Sequence, residues 1–169
     1  MSSRYSSPQI WLHWISAAII IWATLSGFYV ALFNHNLQCK SWIGSLNVSL
    51  TTLYIPFFIL RIWFAWHHGK PGNNLLSHKE EKLAAAGHLL LYSNIALVLI
   101  TGVIMMEKPV SVFGIFELPY LFTDARITGL FNKIHIISCM TLGILVIGHI
   151  LAVVNHQLKG KPLLRRMRW

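Results

Sequence analysis

The reading of the fold turns on residues 131–158, FNKIHIISCMTLGILVIGHILAVVNHQL. After Lys133 the stretch carries no Lys, Arg, Asp or Glu, yet it holds His135, His149 and His156. A helix needs about 20 apolar residues to cross about 30 Å of hydrocarbon, so this segment is long enough to span a membrane. His135 and His149 are fourteen residues apart, close to four helical turns, and so share one face. At about 1.5 Å rise per residue they stand about 21 Å apart along the axis, one toward each surface. His156 continues that face but falls at the membrane edge, where it reads as an interfacial histidine.

Three further segments have the same character: Ile10 to Phe33, Trp42 to Trp66 and Lys82 to Met106. Of the 169 residues, 55% are hydrophobic and only 11% are charged. That leaves too little charge to cover the surface of a soluble globule, and it excludes a disordered tail or a disulfide scaffold. The expectation is an all-α integral membrane four-helix bundle, a single domain over residues 1–169 with spans near 10–33, 42–66, 82–106 and 131–158. The first span is too long for a signal peptide core and lacks cleavage chemistry after it, so it reads as a mature span. Trp11, Trp14, Trp42, Trp63 and Trp66 near the span ends form an aromatic belt.

The net charge of +9 is placed unevenly. Only Lys40, Lys108, Arg126 and Lys133 fall on one side; the other Lys and Arg lie at the termini, in the middle loop or at span ends beside it. By the positive-inside rule both termini and the middle loop are cytoplasmic. The basic tail, Lys159 to Arg168, suits anionic membrane lipid, and no nucleic-acid motif accompanies it. The outer loop from Glu107 to Asn132 carries Pro109, Gly114 and Pro119, and is expected to pack on the membrane surface with a short helix. Cys39 in the outer loop and Cys139 inside the fourth span lie at different depths, which disfavours a disulfide. The absence of CxxC removes support for a zinc ribbon or c-type haem.

Histidine is the unusual residue, with nine in the chain. His67, His68 and His78 read as solvated loop residues, as does His35. His13, His88, His135 and His149 lie within spans, where an ionisable residue is costly and faces the bundle interior. Haem iron accepts neutral imidazole on both axial sides, and two histidines four turns apart on one helix suit two stacked haems. His13 and His88 both lie near the cytoplasmic depth of His149. No other span supplies a histidine at the depth of His135.

At these residues the chain resembles the bacterial cytochrome b561 family. The resemblance runs through Arg4-Tyr5 with Leu12-His13-Trp14, Gly87-His88-Leu89 with Tyr92, and Val112-Phe113-Gly114 with Leu118-Pro119. It continues in His135, Gly148-His149, His156 and the tail Leu164-Arg165-Arg166-Met167. It implies a membrane b-type cytochrome of the bacterial inner membrane that exchanges electrons with the quinone pool, with superoxide oxidation as one activity known in the family. It implies His13 and His149 as axial ligands of an inner haem b, and His135 as one ligand of an outer haem. His88 would lie near the inner haem, at a quinone or proton-exchange site. The family's second outer-haem ligand is a histidine at the start of the second span; Asn47 stands there. His35 from the outer loop, a thioether of Met105 or Met106, or ligation by His135 alone are the ways an outer haem would be held, and its absence is the remaining alternative. Arg61 reads first as snorkelling to the interface and second as a partner for a haem propionate. Lys108, Arg126 and Lys133 read as loop charges, with attraction of an anion such as superoxide in second place. Two further readings stay open: a haem-bearing membrane anchor for a larger dehydrogenase or reductase with a redox partner protein, and a structural homologue with one haem or none.

Overall fold

The computed structural model describes residues 4–33, 36–69, 71–72 and 75–168. Four long helices make up the body: α1 (Ser7–Leu32), α2 (Leu37–His67), α3 (His78–Ile104) and α4 (Ala125–Leu158). All four are long and apolar enough to cross a membrane. Two short strands, β1 (Val110–Val112) and β2 (Phe116–Leu118), lie between α3 and α4, and a 3-10 turn, Leu163–Met167, closes the chain. His35 lies outside the described residues.

Polar residues decide where the helices begin. Ser6 and Gln9 form a capping box on α1, and Ser77 and Glu80 form one on α3. Asn36 accepts from the backbone of Gln38 and Cys39 on α2, and Asp124 accepts from Arg126 on α4. Each cap satisfies N–H groups that the first turn leaves without intrahelical partners. Helices α2 and α4 therefore start at Leu37 and Ala125, ahead of the Trp42 and Phe131 that hydropathy suggests. Cys39 accordingly sits in the first turn of α2 rather than in a loop, and both cysteines are free thiols.

Helix α1 packs along α2, and α3 along α4; the two pairs touch each other less closely. All four contribute to a small central cluster of Ile20, Tyr54, Phe58, Ile95 and Leu142. Outward-facing side chains are apolar, as Leu25, Ile144 and Leu151 show. The buried polar residues are small: Ser16, Ser26, Ser49, Thr101, Thr128 and Ser138. Ser16 donates to the Leu12 carbonyl at 2.6 Å and Thr101 to the Leu97 carbonyl at 2.6 Å, so their hydroxyls are satisfied within their own helices. A Cβ on Gly143 of α4 would stand 3.2 Å from the Phe28 ring of α1, a close approach that glycine permits.

At one end of the bundle the outer loop forms a β-hairpin in place of the expected short helix. Val110 pairs with Leu118 and Val112 with Phe116. Phe113 (φ 51°) and Gly114 (φ 73°) make the turn, and Ile115 N–H donates to the Val112 carbonyl. Two successive positive φ values match the right-handed twist of a tight hairpin. Phe113 adopts this conformation against its preference, held by its N–H donating to Ser49 Oγ of α2 at 3.1 Å.

Both termini lie at the other end. Tyr5 N–H donates to the Arg166 carbonyl, and Trp14 Nε1 to the Met167 carbonyl. Arg166 donates to the carbonyls of Pro71 and Gly72, and Lys161 pairs with Glu80 at 2.6 Å. Part of the basic tail thus ties the termini to the middle loop, while Lys159, Arg165 and Arg168 remain exposed.

Candidate functional site

Near the end that carries the termini, each helix contributes one polar residue to the interior: His13 from α1, Arg61 from α2, His88 from α3 and His149 from α4. The rings of His88 and His149 have centroids 5.4 Å apart and are tilted by 58°. Arg61 donates from its guanidinium to His13 Nδ1 at 3.1 Å and lies 5.3 Å over the Tyr92 ring. Arg61 therefore turns inward, correcting the expectation that it snorkels outward. The reason is local: His13 offers an acceptor and Tyr92 a π-face, both within reach of a planar guanidinium.

This hydrogen bond carries a chemical consequence. Arginine only donates, so His13 Nδ1 accepts and the ring's proton sits on Nε2. A ring in that tautomer offers no lone pair at Nε2 to a metal. Ligation through Nε2 requires Arg61 to leave Nδ1, which frees the guanidinium for a carboxylate.

Toward the hairpin end, the gap between the helix pairs opens into a cavity of about 530 Å³. Cofactor and ligand sites typically measure about 300–1,000 Å³. Gly27, Gly44 and Gly102 are among its lining residues, and no atom lies within 4 Å of where a Cβ on Gly27 or Gly44 would stand. His135 of α4 is the cavity's histidine. Its Nδ1 lies 3.1 Å from the Val98 carbonyl and 3.1 Å from Thr101 Oγ1. The single Thr101 hydroxyl hydrogen serves the Leu97 carbonyl, so Nδ1–H donates to both oxygens and the lone pair is on Nε2. Nε2 is met by the Cys139 thiol at 3.4 Å, a weak donor. A histidine with Nδ1–H fixed on a carbonyl and Nε2 unprotonated is set in the tautomer that binds a metal.

Asn47 of α2 lines the same cavity and its amide meets Ser26 Oγ at 3.0 Å, where Ser26, its hydrogen on the Trp22 carbonyl at 2.7 Å, accepts. Met105 and Met106 line it as well. His156 stays at the terminal end, its Nδ1 3.7 Å from Glu80 and without a hydrogen bond. His67 stacks on Trp63. Among the described residues no group of three or more His, Cys, Asp or Glu side chains gathers as a metal-ion cage.

Sequence reasoning missed Gly102. A Cβ there would stand 3.2 Å from His135 Cε1, so the glycine makes room for the ring. Gly102→Val is expected to displace His135 from its two acceptors and to destabilise the protein by about 1–3 kcal/mol through overpacking. A melting temperature equal to the parent's would show that the ring has slack.

The arrangement defines a helical membrane bundle with histidines turned inward at two depths. A family model described as prokaryotic cytochrome b561 matches residues 4–169, and the chain belongs to that family. It is also 26% identical over 170 residues to cytochrome b561 homolog 2 of Escherichia coli (strain K12), covering 97% of this chain and 90% of that relative. No solved structure matches the chain. The protein is thus a multi-pass bacterial membrane cytochrome of electron transport, in a family that binds b-type haem.

The residues present fit that group. The gap between the helix pairs is apolar and open, His135 presents Nε2 unprotonated, and His13, His88 and His149 converge at the other end. Bound haem supplies a one-electron iron centre. The protein's part is to hold imidazoles neutral and oriented, to keep the cavity apolar, and to place one arginine beside His13.

Proposed function

We propose that the protein passes electrons between the membrane quinone pool and a second donor or acceptor through b-type haem. His13 and His149 hold the haem at the terminal end, and His88 lies beside that site where quinone or a proton exchanges. The observation that carries this reading is the meeting of His13, Arg61, His88 and His149 from four different helices at one depth. Isolated histidines in lipid are costly, and a shared cofactor accounts for all of them at once. The Lys and Arg bias supports a cytoplasmic position for the terminal end. Lys108, Arg126 and Lys133 then belong to the outer face, where positive charge favours an anionic donor such as superoxide.

The test is haem content per polypeptide with a reduced-minus-oxidised spectrum, followed by reduction with a short-chain quinol. Haem that the quinol reduces within seconds supports the reading; haem that only a strong chemical reductant reduces removes quinone from it. Arg61→Gln is a second test. A cation near iron disfavours the oxidised, more positive state, so its loss is expected to lower the midpoint potential by an amount on the order of 1 kcal/mol, or tens of millivolts. An unchanged potential would place Arg61 away from the haem.

A second reading, as a haem-bearing anchor for a dehydrogenase or reductase, is favoured by the apolar hairpin end. There Ile115 is 81% and Leu121 58% exposed. A redox protein that co-purifies through that end would decide for it.

A further inference from the structure

We propose that the cavity at the hairpin end is a binding site for a small neutral diatomic molecule, on a haem iron held by His135 alone, with the Asn47 amide as the polar group facing that molecule. The inference rests on the reading of the protein as a b-type haem cytochrome, and goes beyond it in assigning coordination and a ligand.

The two walls of the cavity differ. The α3–α4 wall supplies an imidazole already in its binding tautomer, fixed by Val98 and Thr101. The α1–α2 wall supplies Ala23, Thr24, Gly27, Gly44, Val48 and Asn47. Iron of a haem takes imidazole, thiolate, thioether or phenolate; the wall's one phenol, Tyr54, is buried in the central cluster with Ile20, Phe58, Ile95 and Leu142, and an amide is a poor donor. Asn47 is also tied down: the one hydroxyl hydrogen of Ser26 serves the Trp22 carbonyl at 2.7 Å, so an amide N–H of Asn47 meets Ser26 Oγ at 3.0 Å. The second amide N–H suits hydrogen bonding to a bound ligand.

The thioethers do not change this. Gly102 lies against the His135 ring; Met105 caps the C-terminus of α3 and Met106 follows it, past the end of the helix. Both leave from the end of α3, which belongs to the helix pair that already holds the imidazole. Trans ligation needs a donor from the opposite wall. With one imidazole and no opposing ligand among the described residues, a coordination position would stay open inside a largely apolar pocket that carries the Asn47 amide. Pocket polarity and donors of this kind govern whether a haem takes up a small molecule.

Carbon monoxide is the probe, added to the full-length, detergent-purified, reduced protein and read by absorbance and by the C–O stretching band. Carbon monoxide is expected to shift the Soret band of one haem population and leave the other unchanged. His135→Ala is expected to abolish the shift and retain the unresponsive population. Asn47→Leu is expected to retain binding and to move the C–O stretch to higher wavenumber, because a donor to the bound molecule is lost.

A haem-loaded protein with no carbon monoxide response overturns this inference and leaves the cytochrome reading intact. A response that survives His135→Ala assigns the open position to the other end and also overturns it. A C–O stretch unchanged in Asn47→Leu overturns the role of the amide. A low-spin spectrum that Met105→Leu with Met106→Leu converts to high spin shows thioether ligation and overturns the open position. A protein that binds no haem in any form overturns both readings together.

Discussion

Replacing His149 with alanine is expected to remove the haem of the terminal end entirely. The reduced-minus-oxidised spectrum should lose that population, while the population dependent on His135 remains. The size of the effect follows from position. His149 stands on α4, its ring 5.4 Å from that of His88, with His13 and Arg61 on the other helix pair. On the proposed ligation, the loss would leave His13 as the one imidazole, and that ring accepts from Arg61 at Nδ1 with its proton on Nε2, so it is not set to keep a haem by itself as His135 is. His88 cannot replace it without moving, because it belongs to α3 and sits beside α4 rather than across from it. His88→Ala is therefore expected to keep the haem, and quinol reduction should slow. Unchanged haem absorbance in His149→Ala would sink the ligand assignment; loss of haem in His88→Ala with retention in His149→Ala would transfer the role to His88.

Asn47→His is expected to close the coordination position proposed to be open at the hairpin end. An imidazole on α2 would face the cavity from the wall opposite His135, and the surrounding space is generous: a Cβ on Gly27 or Gly44 would meet nothing within 4 Å. Ser26, which now meets the Asn47 amide at 3.0 Å, can accept a hydrogen bond from the new ring and fix its tautomer. The expected result is a second low-spin, bis-imidazole haem and loss of the carbon monoxide response. No change in spin state or response in this variant would show that α2 does not face His135 across the cavity.

Several features of this protein are readable without coordinates because they depend on short-range chemistry. Four apolar runs become four helices because a backbone in hydrocarbon must satisfy its own hydrogen bonds. The caps were readable too: Ser6 with Gln9 and Ser77 with Glu80 are three residues apart, the spacing of a capping box, and they move helix starts beyond the hydropathy edges. The hairpin was less legible. Its strands are three residues each, and a phenylalanine at positive φ runs against the turn preferences from which a hairpin is recognised. It forms because Ser49, sixty-four residues away in sequence, holds the Phe113 N–H.

The candidate site divides in the same way. That His135 and His149 share a face of α4, separated by four turns, follows from the 3.6-residue period and needed no fold. That Asn47 offers an amide in the second span is likewise plain from the chain. Which side chains meet is a different kind of fact. Arg61 bonds His13 across forty-eight residues, and Gly102 yields space to His135 across helices. The basic tail spends Arg166 and Lys161 on the middle loop and Glu80, leaving only part of its charge outward. By itself the sequence determined the number of helices, their apolar character and the spacing of histidines along each, since hydropathy and helical period are local properties. Only the tertiary structure decided the pairing of helices, the cavity between the pairs, the inward turn of Arg61 and the tautomer of His135, because each depends on atoms that packing brings together from distant parts of the chain.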